Sequence, residues 1–221
     1  AAKLINEAKK PFALVGQGVT LGNAEDELLA FIEKANIPAA WTLLGESAMP
    51  TDHPLNKGML GMHGNIGPNL KTNECDVLIA IGMRFDDRVT GNLNEYAKQA
   101  KVIHFDIDPA EINKNVQTEV AVLGDVKTTL PAVTQYLVKN SHTEWIASFK
   151  EHEQKEYDFV IQKETESTEG AIKMGEVVLK VSKATNHSAI LVSDVGQNQM
   201  MAHRYFRFTQ KRSNVTSGGL G

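Results

Sequence analysis

The chain of 221 residues has one cysteine, Cys75, so no disulfide can form within it. A lone thiol points to a reducing setting and a cytoplasmic location. No apolar run approaches the roughly 18 residues that a membrane-spanning helix needs, and no signal-peptide pattern opens the chain. Positive charge is not in excess: 23 Lys and Arg stand against 27 Asp and Glu, a net charge of −4. That balance argues against nucleic acid and anionic membranes as partners. The initiating Met is missing, and residues 1–8 already read as helix. The last residues, Ser217 to Gly221, form a glycine-rich turn. These ends predict a fragment of a longer polypeptide.

What is present is a repeated alternation of short apolar runs, polar turns and helical segments. Five strands are predicted, at Phe12–Val15, Ile37–Thr42, Val77–Ile81, Lys101–Asp106 and Val120–Leu123. Unbroken apolar runs of this length fit strands buried on both faces. Helices are predicted after most of them, one capped by Gly22 or Asn23, one over 65–73, one over 93–100 and one from Asp125 to about Lys139. Asp108-Pro109-Ala110-Glu111 also reads as a helix start, with an N-cap, a first-position Pro and an N3 acid. The fold class that follows is α/β, a doubly wound parallel sheet flanked by helices, with a partial second α/β unit. Residues 1–139 form the first domain, 140–170 a charged helical linker that ends in an extended stretch, and 171–221 the opening of the second.

The polar clusters all follow strand carboxyl ends, the edge on which such sheets hold ligands. Gly16-Gln17-Gly18 allows close backbone approach by a cofactor, or only a tight turn, since the full G-x-G-x-x-G pattern is missing. In Gly58-Met-Leu-Gly-Met-His-Gly64 the glycines let backbone lie against a flat ligand and the methionines give adaptable apolar contact. His63 by itself is better explained by solvent exposure or a structural hydrogen bond than by chemistry. The run Val77–Gly91 passes from a buried strand into Arg84, Asp86, Asp87 and Arg88, which either hold a ligand or pair with one another. Asp106 ends its strand where an acid can hold a ribose hydroxyl. A helix start after Ser193-Asp-Val-Gly196 could receive phosphate. Arg204, Arg207, Lys211 and Arg212 read as an interface or a solvated face rather than a nucleic-acid patch.

The ordered segments Gly16-Gln-Gly18, Thr42-Leu-Leu44, Leu60–Gly64, Gly82-Met-Arg-Phe-Asp-Asp-Arg-Val-Thr-Gly91, His104–Ile112 and Gly124-Asp-Val126 together resemble the catalytic large subunits of the acetolactate synthase (acetohydroxyacid synthase) family. The Arg-Phe-Asp-Asp-Arg-Val-Thr-Gly block carries most of that resemblance, which covers essentially the whole chain. It implies a central FAD-binding domain of the thiamine diphosphate enzyme type, a linker, and the start of a thiamine diphosphate domain.

Several assignments come from the resemblance alone. Gly16, Gly18, Thr42, Leu43, Leu60, Gly61, Met62 and His63 would line the flavin and its ribityl chain. Gly82, Arg84, Asp86, Arg88 and Val89 would hold the middle of FAD. Asp106, Ile107, Glu111, Asp125 and Val126 would take the adenosine end. Met62, Asp87 and Arg88 would border the substrate channel, and Val195, Gly196, Gln197 and Asn198 would meet the thiamine diphosphate. The family carries His where this chain has Asn198 and Trp where it has Met201, so only backbone contacts carry over there.

The implied reaction decarboxylates pyruvate and joins it to a second 2-oxo acid, pyruvate or 2-oxobutanoate, in isoleucine, valine and leucine biosynthesis. FAD, thiamine diphosphate and Mg2+ are the implied cofactors. No catalytic residue and no metal ligand are expected here: the activating Glu belongs upstream and the Mg2+ ligands downstream. The isolated fragment is therefore expected to be inactive. The full enzyme would be a homodimer or homotetramer, with room for a small regulatory subunit. The rival readings are the central domain of another FAD-containing thiamine diphosphate enzyme, of pyruvate oxidase type, and a non-catalytic nucleotide-binding module.

Overall fold

A computed structural model describes residues 1–219. After α1 (Ala2–Glu7), β1 (Pro11–Val15) enters the sheet, followed by α2 (Gln17–Leu21), α3 (Glu25–Ala35) and β2 (Ala39–Trp41). A 3-10 turn (Leu43–Gly45) leads to β3 (Asn56–Met59), α4 (Ile66–Thr72), β4 (Val77–Ile81) and the short α5 (Asp87–Thr90). Then come β5 (Lys101–Asp106), β6 (Val120–Leu123) and α6 (Val126–Thr134).

These six strands form one sheet in the order β3-β2-β1-β4-β5-β6, and every pairing is parallel. The order reverses between β1 and β4, which is the doubly wound arrangement with its switch point between those two strands. Both are buried along their whole length, as continuous apolar runs require when helices cover both faces.

Alternate side chains divide the core. Ala13, Val15, Ile79, Ile81 and Phe105 meet Leu28, Phe31 and Ile32 of α3 on one face. Phe12, Leu14, Leu78 and Ala80 face Trp145 and Phe149 on the other. Those two aromatics come from α7 (Thr143–Ala147) and the residue before α8 (Lys150–Glu156). Trp145 Nε1 also donates to the Pro11 carbonyl at 2.8 Å. The charged stretch thus seals the second face of the sheet, each buried aromatic contributing about 1.5–3 kcal/mol. Cys75 lies in this layer, fully buried, its thiol donating to the Thr72 carbonyl. Burial pushes that thiol up to about 12.

α8 continues through a π-turn (Tyr157–Ile161) into α9 (Gln162–Thr165), and then come α10 (Met174–Ala184), β7 (Leu191–Ser193), α11 (Gln197–Tyr205) and β8 (Asn214–Thr216). β7 and β8 pair in parallel. Basic residues of 203–212 meet acidic groups of the preceding chain: His203 with Glu46, Arg204 with Glu156, Lys211 with Asp26 and Arg212 with Glu25. The cluster Arg204, Lys211 and Arg212 is therefore an internal interface.

Several expected elements differ. β3 was not expected, and its Asn-Lys-Gly-Met sequence offers no apolar pattern; it forms by pairing with β2 at the edge. Residues 93–100 make turns instead of a helix, because Ala97 takes a positive φ and its amide bonds the Asn73 side chain. Asp108 does accept from the Ala110 amide, yet no helix follows, since Asn113 is left-handed. α3 is capped at Ala24, not Gly22 or Asn23. α6 ends at Thr134, short of Lys139, with Pro131 inside it. The end of the predicted second domain, Leu220 and Gly221, lies outside the described residues.

Candidate functional site: a cleft along the carboxyl edge of the sheet

The strand order places six turns in a row along one edge. From the β3 side these are Leu60–His63, Thr42–Leu44, Gln17–Gly18, Gly82–Val89, Asp106–Glu111 and Gly124–Val126. Five interstrand steps of roughly 4.8 Å make this row about 24 Å long. Together the turns wall a cleft of about 1150 Å3, above the usual range of small-ligand pockets. Across it stand Val195, Gly196, Gln199 and Met200 at the start of α11, with Ser217, Gly218 and Gly219.

Chemistry changes along the row. The β3–β2 end is apolar, with Leu43, Leu44, Met59, Leu60 and Met62. The middle carries Arg84 and Arg88, whose side chains are 67% and 71% exposed. Arg84 lies 3.4 Å from Asp86, and Arg88 lies 3.9 Å from Asp87. Contacts so long and so exposed hold little energy, which leaves both guanidinium groups able to receive an anion. The β5–β6 end carries Asp106, Asp108, Glu111 and Asp125.

Local geometry explains these positions. Thr42 caps the 3-10 turn, its Oγ1 accepting from the Gly45 amide at 3.2 Å. Asp86 caps α5 through the Arg88 amide at 3.1 Å, and Asp125 caps α6 through the Lys127 amide at 2.8 Å. Asp106 is nearly buried; its Oδ1 accepts from the Asp108 amide, and its Oδ2 lies 3.4 Å from His104 Nε2. His104 Nε2 donates to the Met83 carbonyl at 2.8 Å, joining β5 to the turn that carries Arg84. Sequence reading passed over His104, although it shares a strand face with Asp106 two residues on.

Of the residues implied for FAD, the cleft is lined by Gly18, Thr42, Leu43, Leu60, Met62, His63, Gly82, Arg84, Asp86, Arg88, Val89, Asp106, Ile107, Glu111, Asp125 and Val126. Gly16 and Gly61 are not on its wall. A Cβ on Gly16 would lie 2.7 Å from Met83 Cα, so that glycine serves the contact between two turns. Gly61 has φ +98, and its Cβ would lie 2.8 Å from the Arg88 carbonyl. Gln197 and Asn198 also fall outside the lining and are exposed, whereas Gln199 and Met200 turn inward. α11 begins at Gln197, so its first two residues rotate away from the cleft. Asp87 lies off the wall as well, at the start of α5. Leu21, Leu44, Met83 and the glycines 218 and 219 were not foreseen; Met83 and the glycines sit in segments whose turn character was visible.

One buried pair lies close by. Burial pushes the Glu46 carboxyl well above its usual range and the His203 imidazole down to about 4. Both shifts favour the neutral forms, so the carboxyl O–H donates to His203 Nδ1.

Comparison with known proteins agrees with this geometry. The family model described as "Thiamine pyrophosphate enzyme, central domain" matches residues 1–133. The whole chain is 41% identical to a probable acetolactate synthase large subunit of Methanocaldococcus jannaschii, covering 38% of that protein. It is 39% identical to the acetolactate synthase isozyme 2 large subunit of Escherichia coli K12, again over the whole chain and over 39% of that protein. Over 99% of the chain it is 37% identical to the chloroplastic acetolactate synthase 1 of Oryza sativa, covering 34% of it. The chain thus spans less than two-fifths of the length of these relatives. With its six-stranded parallel sheet in doubly wound order and its match over residues 1–133, the chain belongs to the thiamine pyrophosphate enzyme central-domain family.

Proposed function

We propose that this chain is the FAD-holding part of an acetolactate synthase large subunit, together with one wall of its thiamine diphosphate site. The observation that carries the reading is the order of chemistry along the cleft: apolar, then basic, then acidic. A dinucleotide with a flat ring at one end, a diphosphate in the middle and a ribose at the other has that same order. Leu43, Leu60 and Met62 would pack on the ring, Arg84 and Arg88 would take the diphosphate, and Asp106 and Glu111 the ribose hydroxyls. Gly18 and Gly82 let the two turns close on each other at the switch point, since a Cβ on Gly18 would lie 2.7 Å from Gly82 Cα and one on Gly82 would lie 2.8 Å from Gly18 Cα.

Thiamine diphosphate, when bound with Mg2+, supplies the nucleophilic carbon for decarboxylation of pyruvate and its condensation with pyruvate or 2-oxobutanoate. This chain's contribution is placement. Val195 and Gly196 would offer backbone to the diphosphate, while Met62 and Arg88 on the cleft wall, with Asp87 just off it at the start of α5, would border the approach of the 2-oxo acid. The parent enzyme would act in branched-chain amino acid biosynthesis in the cytoplasm, as a homodimer or homotetramer, with or without a small regulatory subunit. Among the described residues no helix is long and apolar enough to cross a membrane.

Titration of the purified chain with FAD tests the reading. Quenching of flavin fluorescence and a rise in melting temperature are expected, without acetolactate formation from pyruvate. Neither quenching nor a rise in melting temperature at saturating FAD would refute the flavin assignment.

A further inference from the structure

Arg204, near the end of α11, reaches into the segment that forms the apolar end of the cleft. Its Nη1 donates to the carbonyls of His63 at 3.2 Å and Gly64 at 3.3 Å, and its Nη2 donates to Glu156. Glu156, buried at the end of α8, accepts from Asn65 Nδ2 and from the Ile66 amide, each at 2.9 Å. It thereby caps α4. Asn65 Oδ1 in turn accepts from the Met59 amide at 2.8 Å. The loop Leu60–Gly64 is thus held where it starts and where it ends by one connected set of polar contacts.

On the cleft side of this loop Met62 is 61% exposed and His63 lines the wall. Behind it a second cavity of about 700 Å3 borders Met59, Asn65 and Gly67. Polar ties, more than packing, therefore restrain the loop on that side. The helix that carries Arg204 also presents Gln199 and Met200 to the same cleft. A guanidinium can bond two carbonyls and a carboxylate at once because its donors are fixed in a planar fork. Arg204 therefore ties the cleft loop that bears Met62 to the helix that bears Gln199 and Met200.

We propose that Arg204 is a positioning residue, which fixes the Leu60–Gly64 loop against α11 and so sets how Met62 and His63 meet a bound flavin. The flavin half of this statement rests on the function proposed above; the loop restraint does not. If Arg204 were a structural ion pair and nothing more, its loss would lower stability without changing the surroundings of the ring.

The test compares the parent chain with Arg204→Gln, Arg204→Lys and the interface control Lys211→Gln. Amide exchange at residues 64–66, melting temperature, FAD affinity and the visible circular dichroism of bound flavin are measured. Arg204→Gln is expected to speed exchange at Gly64 and Ile66 about ten-fold, to weaken FAD about ten-fold and to alter the visible band. Arg204→Lys should fall between, since an ammonium keeps Glu156 but not both carbonyls. Lys211→Gln should match the parent. Unchanged exchange in Arg204→Gln, or in Arg204→Lys if the glutamine variant does not fold, overturns the restraint. Faster exchange with an unchanged flavin band and affinity overturns the positioning role. Should the parent bind no flavin, the functional reading fails while exchange still decides the restraint.

Discussion

The amide of Gly18 donates to the carbonyl of Gly82 at 2.9 Å, which joins the turn after β1 to the turn after β4 across the switch point. A Cβ on Gly18 would lie 2.7 Å from Gly82 Cα, backbone that cannot yield without moving β4. Gly18→Ala is expected to destabilise the chain by about 1–3 kcal/mol through this overlap and to weaken FAD binding. Gly219→Ala, where nothing lies within 4 Å, should stay within about 0.5 kcal/mol of the parent. Urea unfolding of both variants measures the difference.

Glu46 and His203 give the chain a particular dependence on pH. In the native state the carboxyl keeps its proton and the imidazole has none until about pH 4. The ordinary values are 4.5 and 6.5, so between those two pH values native and unfolded forms hold one proton each on the pair. Its contribution is flat there. Above pH 6.5 the unfolded form holds none, and stability falls by about 1.4 kcal/mol per pH unit until the native carboxyl ionises. Below pH 4.5 the unfolded form holds two, and stability falls until about pH 4. Glu46→Gln should remove the alkaline slope, which thermal melts from pH 5 to 9 would show.

Arg88 tests the middle of the cleft. Its side chain is 71% exposed and only loosely paired, so Arg88→Ala should change stability by less than about 0.5 kcal/mol. Loss of a charge-assisted contact to a diphosphate should weaken FAD by about ten-fold or more. Fluorescence titration at two salt concentrations measures it, and the loss should shrink at the higher one.

Arg212 and Lys211 are neighbours with different partners. Arg212 lies 2.9 Å from the buried carboxylate of Glu25, whereas Lys211 pairs with the exposed Asp26. Arg212→Ala strands a buried charge and should cost about 2–4 kcal/mol. Lys211→Ala should leave the melting temperature unchanged. A larger effect at Lys211 than at Arg212 would contradict the burial order.

The sequence showed β1, β4 and β5 clearly, because continuous apolar runs in a doubly wound sheet have few other fates. It also placed most of the cleft wall, since turns after parallel strands share one edge. β3 was hidden because Asn56–Met59 has no pattern of its own and depends on β2. That Gln197 and Asn198 face away from this cleft while Gln199 and Met200 line it was not legible, because each step along a helix turns the side chain by about 100° and the start of α11 has no sharp signal in the sequence. Glu46–His203 spans 157 residues and Arg204–Glu156 spans 48. Each partner sits in an ordinary polar stretch, and only the approach of α11 to the Glu46 turn and to the end of α8 makes them meet.

Cys75 is fully enclosed and its thiol stays protonated at neutral pH, so thiol-selective reagents should leave the folded chain untouched. The protein is therefore a ready background for site-directed labelling. A cysteine introduced at exposed Met62 would carry the sole reactive sulfur among the described residues, and a dye placed there would report movement of the cleft loop without any native residue having to be removed.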